Sequence, residues 1–202
     1  MNKEIIEKAR TIILDFDGTL VDSNDIKRTA FEKCFTNHSA HFEEIMAYCK
    51  GNNHTPRKEK FRHVFENILK TPYTAETEKK MLERYASQTT EQVIAAKEIP
   101  GAFAFLDKYL PTKELVLLSS TPHDILLHIL ERRGMKKYFR TVQGAPVNKA
   151  EWIKKFITEQ NLKKEEVVFI GDSPEDQRAA LESGVAFYLP NFNPAPQTGN
   201  NF

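Results

Sequence analysis

The stretch Thr11-Ile12-Ile13-Leu14-Asp15-Phe16-Asp17-Gly18-Thr19-Leu20 constrains this chain most. An apolar run without polar alternation predicts a strand covered on both faces, as in a parallel sheet. Asp17-Gly18 predicts a turn, because glycine accepts backbone angles that other residues resist. The strand therefore ends by presenting Asp15 and Asp17 at its carboxyl edge, where open α/β sheets bind ligands. Phe16, between them, points to the other face. A calcium loop starting at Asp15 fails, because its twelfth position would be Ile26 where a bidentate Glu is needed. What remains is either a strand that stops at a polar turn or a nucleophilic carboxylate with a partner acid two residues on.

The chain has 202 residues, enough for one large domain or a core with a sizeable insertion. Its net charge of +1 gives no global field to attract nucleic acid or a membrane surface. Cys34 and Cys49 are the two cysteines, too few for a disulfide framework and suited to a reducing, cytoplasmic setting. The start, Met1-Asn2-Lys3-Glu4, leads into a charged amphipathic segment over residues 3–10, unlike the apolar core of a signal peptide. No run reaches the length of a membrane span.

After Ser23 the texture changes. Ile26, Ala30, Phe31, Cys34 and Phe35 recur at three and four, as one helix face requires. Phe42, Ile45, Met46 and Cys49 repeat the pattern, as do Phe61, Val64, Phe65, Ile68 and Leu69. Met81, Leu82 and Tyr85, with Val93 and Ile94, make a fourth face. Gly51 to Pro56 reads as a loop between two of them. From Ile99 the pattern alternates. Helix is expected over 103–110, strand over 115–118, then helix from Thr121-Pro122, with Thr121 as cap, to Gly134. A short strand lies within 138–143 and a helix opens at Asn148. Strands at 167–170 and 185–189 flank a helix from Ser173 to Gly184. The tail from Pro190, uncharged and rich in proline and asparagine, is expected to be extended or disordered. The expected fold is thus a doubly wound, parallel, five-stranded α/β core, residues 1–22 and 98–202, with an all-helical insertion over 23–97. Leaving the core just after Asp17, the insertion is placed to act as a lid.

Three further strand ends carry polar groups. Ser119 and Ser120 follow the apolar strand and are not needed for helix capping; a hydroxyl and backbone N–H there can hold a phosphate oxygen. Lys149 lies in the first turn of a helix, where a cation is disfavoured unless another anion is near. Asp172 ends a strand before the helix cap and needs a partner if buried. Ser173 and Asp176 have the spacing of a capping box.

Asp15-Phe16-Asp17-Gly18-Thr19-Leu20, Ser119, Lys149 and Gly171-Asp172-Ser173-Pro174-Glu175-Asp176, in this order, resemble the four motifs of the haloacid dehalogenase-like hydrolase superfamily. The helical insertion resembles the C1-type cap of its phosphoglycolate phosphatase and β-phosphoglucomutase-like subgroup. The resemblance implies a Rossmann-like core and a Mg²⁺ cofactor. Asp15 would be the nucleophile that forms an aspartyl-phosphate. Asp17 would be the general acid and base. Ser119 and the Ser120 N–H would hold the phosphoryl oxygens. Lys149 and the metal would offset repulsion between anions. Metal ligands would come from Asp15, Asp172 and the Asp17 backbone carbonyl. Asp176 would either ligate directly or orient Lys149. An acid at position 17 favours phosphoryl transfer over dehalogenation.

Substrate choice is expected from the insertion. Arg57, Lys58, Lys60 and Arg62 read as a solvated helix face. Alternatively Arg57 or Lys60, with Asn53 in the adjoining loop, reaches an anionic substrate. His123 is either a surface residue or part of the site mouth. The expected partner is a small phosphorylated metabolite, with the protein a monomer or homodimer. The rival readings are a phosphomutase and a catalytically silent binding protein on the same scaffold.

Overall fold

The structure is a computed structural model and describes residues 3–52 and 55–192. Cα packing divides the chain into two compact units. One comprises Met1–Asp22 with Lys97–Phe202, and the other Ser23–Ala96.

The first unit is built on a five-stranded parallel sheet in the order β3-β2-β1-β4-β5. The strands are β1 (Thr11–Leu14), β2 (Glu114–Pro122), β3 (Thr141–Ala145), β4 (Val167–Ile170) and β5 (Ala186–Tyr188). The helices are α1 (Lys3–Lys8), then α6 (Ala102–Tyr109), α7 (His123–Arg132), α8 (Lys149–Glu159) and α9 (Pro174–Ser183). Helices α2 to α5 belong to the second unit. Ile12, Ile13 and Leu14 are wholly buried, as are Val168, Phe169 and Ile170. That explains the unbroken apolar runs, since a central parallel strand is covered on both faces. Ile13, Val116, Leu118, Val167 and Phe169 pack on one face against Ile153 and Phe156 of α8 and Ala179 and Ala180 of α9. The alternate residues Ile12, Leu14, Leu115 and Leu117 take the other face, and α6 and α7 pack on β2.

Strand β1 is central, with Leu14 beside Leu117 of β2 and Ile170 of β4. The chain runs outward from β1 through β2 to β3, then crosses back to β4 and β5 on the other side. The carboxyl ends of β1 and β4 are therefore level, and β2 runs on past them to Pro122, at the point where the strand order reverses, which is the ligand-binding edge of such sheets. The two strands of chain that join the units are tied within this core. Asp22 N donates to Lys97 O at 2.9 Å, Ile99 N donates to Leu20 O at 3.0 Å, and Val21 bridges Glu98.

Two boundaries differ from the sequence reading. Strand β2 runs on through Ser119, Ser120 and Thr121, and α7 begins only at His123, with no side-chain cap. Thr121 is therefore not a helix cap. Its hydroxyl is spent elsewhere, and Pro122, in an extended conformation (φ −51°, ψ 137°), forms the boundary. Strand β3 starts at Thr141, because Lys136–Tyr138 forms a 3₁₀ turn first. The tail expectation falls largely on residues 193–202, which lie outside the described residues.

The second unit, as described, is helical: α2 (Asn24–Cys34), α3 (Phe42–Gly51), α4 (Arg57–His63) continuing into a π-helical turn at Val64–Ile68, and α5 (Ala75–Ala95). Helix α5 is one continuous helix, burying Met81, Tyr85, Thr89 and Val93 at intervals of four and capped by Thr74. Its core joins Phe31, Phe35, Ile45, Phe61, Val64 and Tyr85. Phe61 is wholly buried, stacks on Phe31 at 4.7 Å and meets Tyr85 edge-on at 6.2 Å. Replacing Phe61 with Ala should destabilise this unit by about 3–5 kcal/mol. Denaturant unfolding would show this, and a loss under about 1 kcal/mol would mean that the aromatic cluster is not what holds the helices.

Candidate active site

The site begins one residue past β1. Asp15 N donates to Ile170 O at 2.9 Å, so sheet pairing continues beyond Leu14 and fixes the Asp15 backbone. The chain then closes a tight loop. Leu20 N and Val21 N both donate to Phe16 O, Gly18 N donates to Val21 O at 2.8 Å, and Gly18 takes the left-handed conformation at φ 73°. Asp15 is buried at 6 % exposure, while Asp17 is half-buried.

Lys149 is the first residue of α8, whose cap is Asn148, accepting from Glu151 N at 3.1 Å. Its side chain is 5 % exposed, so it is not a solvated lysine. Its Nζ donates to Asp15 Oδ1 at 2.8 Å and to Asp176 Oδ1 at 2.6 Å. These anions explain a cation in the first helical turn. Asp176 is wholly buried, and its other oxygen accepts from Ser173 N at 3.2 Å and Ser173 Oγ at 2.7 Å. Ser173 Oγ in turn accepts from Asp176 N at 3.1 Å, completing the capping box that the spacing suggested. Asp176 thus caps α9 and binds Lys149 at once. Gly171 makes room for it, since a Cβ there would lie 2.6 Å from the Asp176 carboxyl.

Thr19, wholly buried, donates from Oγ1 to Asp172 Oδ1 at 3.3 Å. Carboxylate oxygens of Asp15, Asp172 and Asp176 all lie within 4.8 Å of one another. An all-oxygen, carboxylate-rich donor set fits a hard divalent cation such as Mg²⁺ better than a soft metal. Because Lys149 and Ser173 already occupy both Asp176 oxygens, Asp15 and Asp172 are the better-placed ligands. The Asp17 carboxylate is not in that trio, and the metal role implied for Asp17 runs through its backbone carbonyl. On β2, Ser119 is 1 % exposed and its Oγ accepts from Thr121 N at 3.1 Å, a role that does not use its O–H as a donor. Thr121 Oγ1 donates to Asp17 Oδ2 at 2.8 Å.

These carboxylates share one lysine. Burial pushes Asp15 up to about 7, against the pull of Lys149, and Asp176 and Asp17 add to the rise. Burial alone would lower the Lys149 ammonium, but Asp15 and Asp176 together outweigh it and hold the pKa above the ordinary lysine range. Lys149 therefore stays charged at neutral pH, while burial disfavours the charged form of Asp15.

The structure thus brings Asp15, Asp17, Ser119, Lys149, Asp172 and Asp176 to one sheet edge, with Ser120 exposed beside them. Half-buried His123 accepts from Gly144 N at Nδ1 over 3.2 Å, so it braces the β2–β3 corner. Thr19 and Thr121 are site residues that sequence reasoning missed. Period-two alternation along β2 puts Thr121 on the Ser119 face, but Pro122 made it look like a cap. A groove of about 420 Å³ lies at the opposite, amino edge of the sheet, lined by Leu110–Leu115 and Lys137–Arg140. Lys113 there donates to Glu7 O and Ala9 O, and Arg140 lies 3.8 Å from Glu114, so the groove lacks the converging acids of the site above.

In the helical unit, Lys58 and Arg62 pair with Glu78 at 2.6 and 3.9 Å, which fits a structural surface role. Arg57 and Lys60 lie instead over aromatic rings, 4.1 Å from Tyr85 and 5.3 Å from Phe31 respectively. Burial lowers the Lys60 pKa; Cys49 opposes this, and Arg57 and Lys27 add to it. Asn53 lies outside the described residues. Among the described residues no helix is long and apolar enough to cross a membrane.

The family model for haloacid dehalogenase-like hydrolases matches residues 12–189. No curated protein matches the sequence. Among solved structures, CbbY from Rhodobacter sphaeroides in complex with xylulose-(1,5)bisphosphate is similar, with TM-score 0.71 at 16% identity, covering 91% of this chain and 87% of that one. A predicted phosphoglycolate phosphatase from Haemophilus somnus has TM-score 0.68 at 17% identity, covering 91% and 88%. A haloacid dehalogenase-like family hydrolase from Streptococcus pneumoniae has TM-score 0.65 at 19% identity, covering 90% and 84%. At such identities these likenesses speak for the fold.

The burial of Asp15 predicts a pH effect on stability. Asp15 is raised from 3.8 to about 7, so the folded state binds its proton more tightly than the unfolded one. Its contribution is most favourable below about pH 4, declines as pH rises through the window to about 7, and stays unfavourable above. In chelator, the Tm of Asp15→Asn relative to wild type should therefore be higher at pH 8 than at pH 5, whatever the cost of removing a Lys149 partner. Equal shifts at both pH values would contradict the ionisation assigned to Asp15.

Proposed function

The chain belongs to the haloacid dehalogenase-like hydrolase family, and from that premise we propose that it is a Mg²⁺-dependent phosphatase. Its substrate is a small phosphomonoester (a sugar phosphate, phosphoglycolate-like acid or nucleotide), hydrolysed through an aspartyl-phosphate. The observation that carries this reading is the buried Lys149 held between Asp15 and Asp176 at 2.8 and 2.6 Å.

Lys149 engages Asp15 Oδ1, and Oδ2 is the oxygen assigned to attack phosphorus. A carboxylate approaching a phosphate dianion is anion against anion, and the Lys149 charge lowers that barrier in a site with little water. The Ser119 hydroxyl and the Ser120 N–H hold the phosphoryl oxygens. Asp17 gives a proton to the departing oxygen, then takes one from the water that attacks the phosphoenzyme. Asp176 acts through Lys149, keeping its ammonium charged and aimed. Asp15, Asp172 and the Asp17 carbonyl would hold Mg²⁺, which would supply further charge neutralisation at the phosphoryl group.

Substrate choice is assigned to the helical unit, to Arg57 and Lys60 with Asn53. Support comes from the placement of Arg57 and Lys60 over the Tyr85 and Phe31 rings. A half-buried lysine whose pKa burial lowers gains by meeting an anion. The free, buried Cys34 and Cys49 suit action in the cytoplasm, as a monomer or homodimer.

Phosphate release from a panel of phosphorylated metabolites, with Mg²⁺ and with chelator, tests the class. Selective release that chelator abolishes is expected, and a folded protein that releases nothing would overturn the reading. Asp15→Asn should lower kcat by roughly a thousandfold or more; appreciable residual turnover would remove Asp15 as nucleophile. Arg57→Ala should raise KM for the preferred substrate about tenfold more than for a generic aryl phosphate. Equal effects on both would return Arg57 to a structural role.

A further inference from the structure

Thr121 has no part in the mechanism above, yet it touches two groups that do. It lies on β2 two residues beyond Ser119, so the two share a face of the strand. It is 3 % exposed. Its Oγ1 donates to Asp17 Oδ2 at 2.8 Å, and its N–H donates to Ser119 Oγ at 3.1 Å. Helix α7 needs nothing from it, starting at His123 without a side-chain cap. The pairing of β2 with β3 shifts register between Leu118 and Pro122, so the strand departs from regular geometry where Thr121 sits. The far side of this irregular stretch is pinned by Gly144 N on His123 Nδ1. A buried hydroxyl that donates to a carboxylate oxygen is a means of orienting that carboxylate.

We infer that Thr121 is the positioning residue for the acid of the reaction. The inference rests on the phosphatase reading given above. The Thr121 hydroxyl holds Asp17 Oδ2 as an acceptor, which fixes the carboxyl plane and directs the acid proton to Oδ1, since a proton on Oδ2 would compete with the threonine donor. In the first step Asp15 Oδ2 bonds to phosphorus. The bond from phosphorus to the leaving oxygen breaks, its electron pair goes to that oxygen, and the Asp17 Oδ1 proton follows. The alcohol departs neutral and Asp17 is left as carboxylate. Because Thr121 also donates its N–H to Ser119, the acid and the phosphate-holding hydroxyl are set relative to each other through one residue. Valine keeps the β-branched shape that suits the strand but cannot donate.

The test compares kcat/KM for phenyl phosphate and p-nitrophenyl phosphate in the full chain with Mg²⁺. This parameter covers steps only up to departure of the leaving group, so the later water step does not enter. Phenol has a pKa of about 10, like tyrosine, and its departure needs the acid. The nitro group stabilises the other leaving anion and reduces that need. Thr121→Val should lose roughly tenfold more on phenyl phosphate than on p-nitrophenyl phosphate. Thr121→Ser, which restores the hydroxyl, should recover to within about threefold of wild type. In the Asp17→Asn background, Thr121→Val should add less than about twofold, because the group it positions is gone. Equal losses on both substrates, no recovery with serine, or losses that multiply fully in the double variant would each overturn the inference. If Thr121→Val does not fold by circular dichroism, Thr121→Ala and Thr121→Ser carry the same comparison. A folded wild type that releases phosphate from neither compound would overturn the phosphatase reading and this inference with it; an active wild type with equal losses overturns this inference alone.

Discussion

One ammonium group holds this candidate active site together. Lys149 Nζ lies within 2.8 Å of Asp15 and 2.6 Å of Asp176, and all three side chains are at most 8 % exposed. Buried charges survive only when paired and hydrogen-bonded, and losing one partner from such a set costs about 3–5 kcal/mol. The surroundings meet that demand piece by piece. Asn148 starts α8 so that Lys149 is its first residue, Ser173 occupies the far oxygen of Asp176, and Gly171 clears the space in which that carboxyl sits. Burial raises the pKa of Asp15 against the pull of Lys149, and the neighbouring acids add to the rise. Asp15 is the residue assigned to attack phosphorus, and a bound divalent cation would favour its charged form.

The sheet makes this convergence possible. Asp15, Ser119, Lys149 and Asp172 are far apart in sequence, but Ser119 lies in the last part of β2 and each of the others follows a strand, in a parallel sheet with β1 at the centre. Level registers of Leu14 with Leu117 and Ile170 put the ends of β1 and β4 beside the stretch of β2 that leads to Ser119. Reversal of the strand order at β1 opens the edge where they meet. Chain connectivity, not local propensity, therefore decides which polar residues become neighbours.

Much of this was legible in the sequence because burial and chemistry leave different marks. Runs such as Ile12-Ile13-Leu14 and Val167-Val168-Phe169-Ile170 have no polar alternation, and the structure covers both their faces. Paired carboxylates at the end of such a run, in Asp15-Phe16-Asp17, have no use in packing. Lys149 was odd by position alone, a cation at the positive end of a helix, and the structure supplies the two anions that explain it. Thr19 and Thr121 were illegible because a hydroxyl has many uses. Thr121 before Pro122 has the pattern of a helix cap, and only the continued course of β2 shows its hydroxyl on Asp17. The same ambiguity covered the basic run from Arg57 to Arg62. Glu78, which separates Lys58 and Arg62 from Arg57 and Lys60, lies on α5, a separate helix of the unit.

In the proposed mechanism Asp15 carries the phosphoryl group, with Lys149 as its charge partner. Acid-quenching the protein during turnover of a phosphomonoester and mapping phosphoryl mass onto its peptides puts this to the test. The label is expected on the peptide bearing Asp15, and its loss is expected in Asp15→Asn. Turnover with no label there, and phosphate oxygen drawn from water in a single displacement, would contradict it.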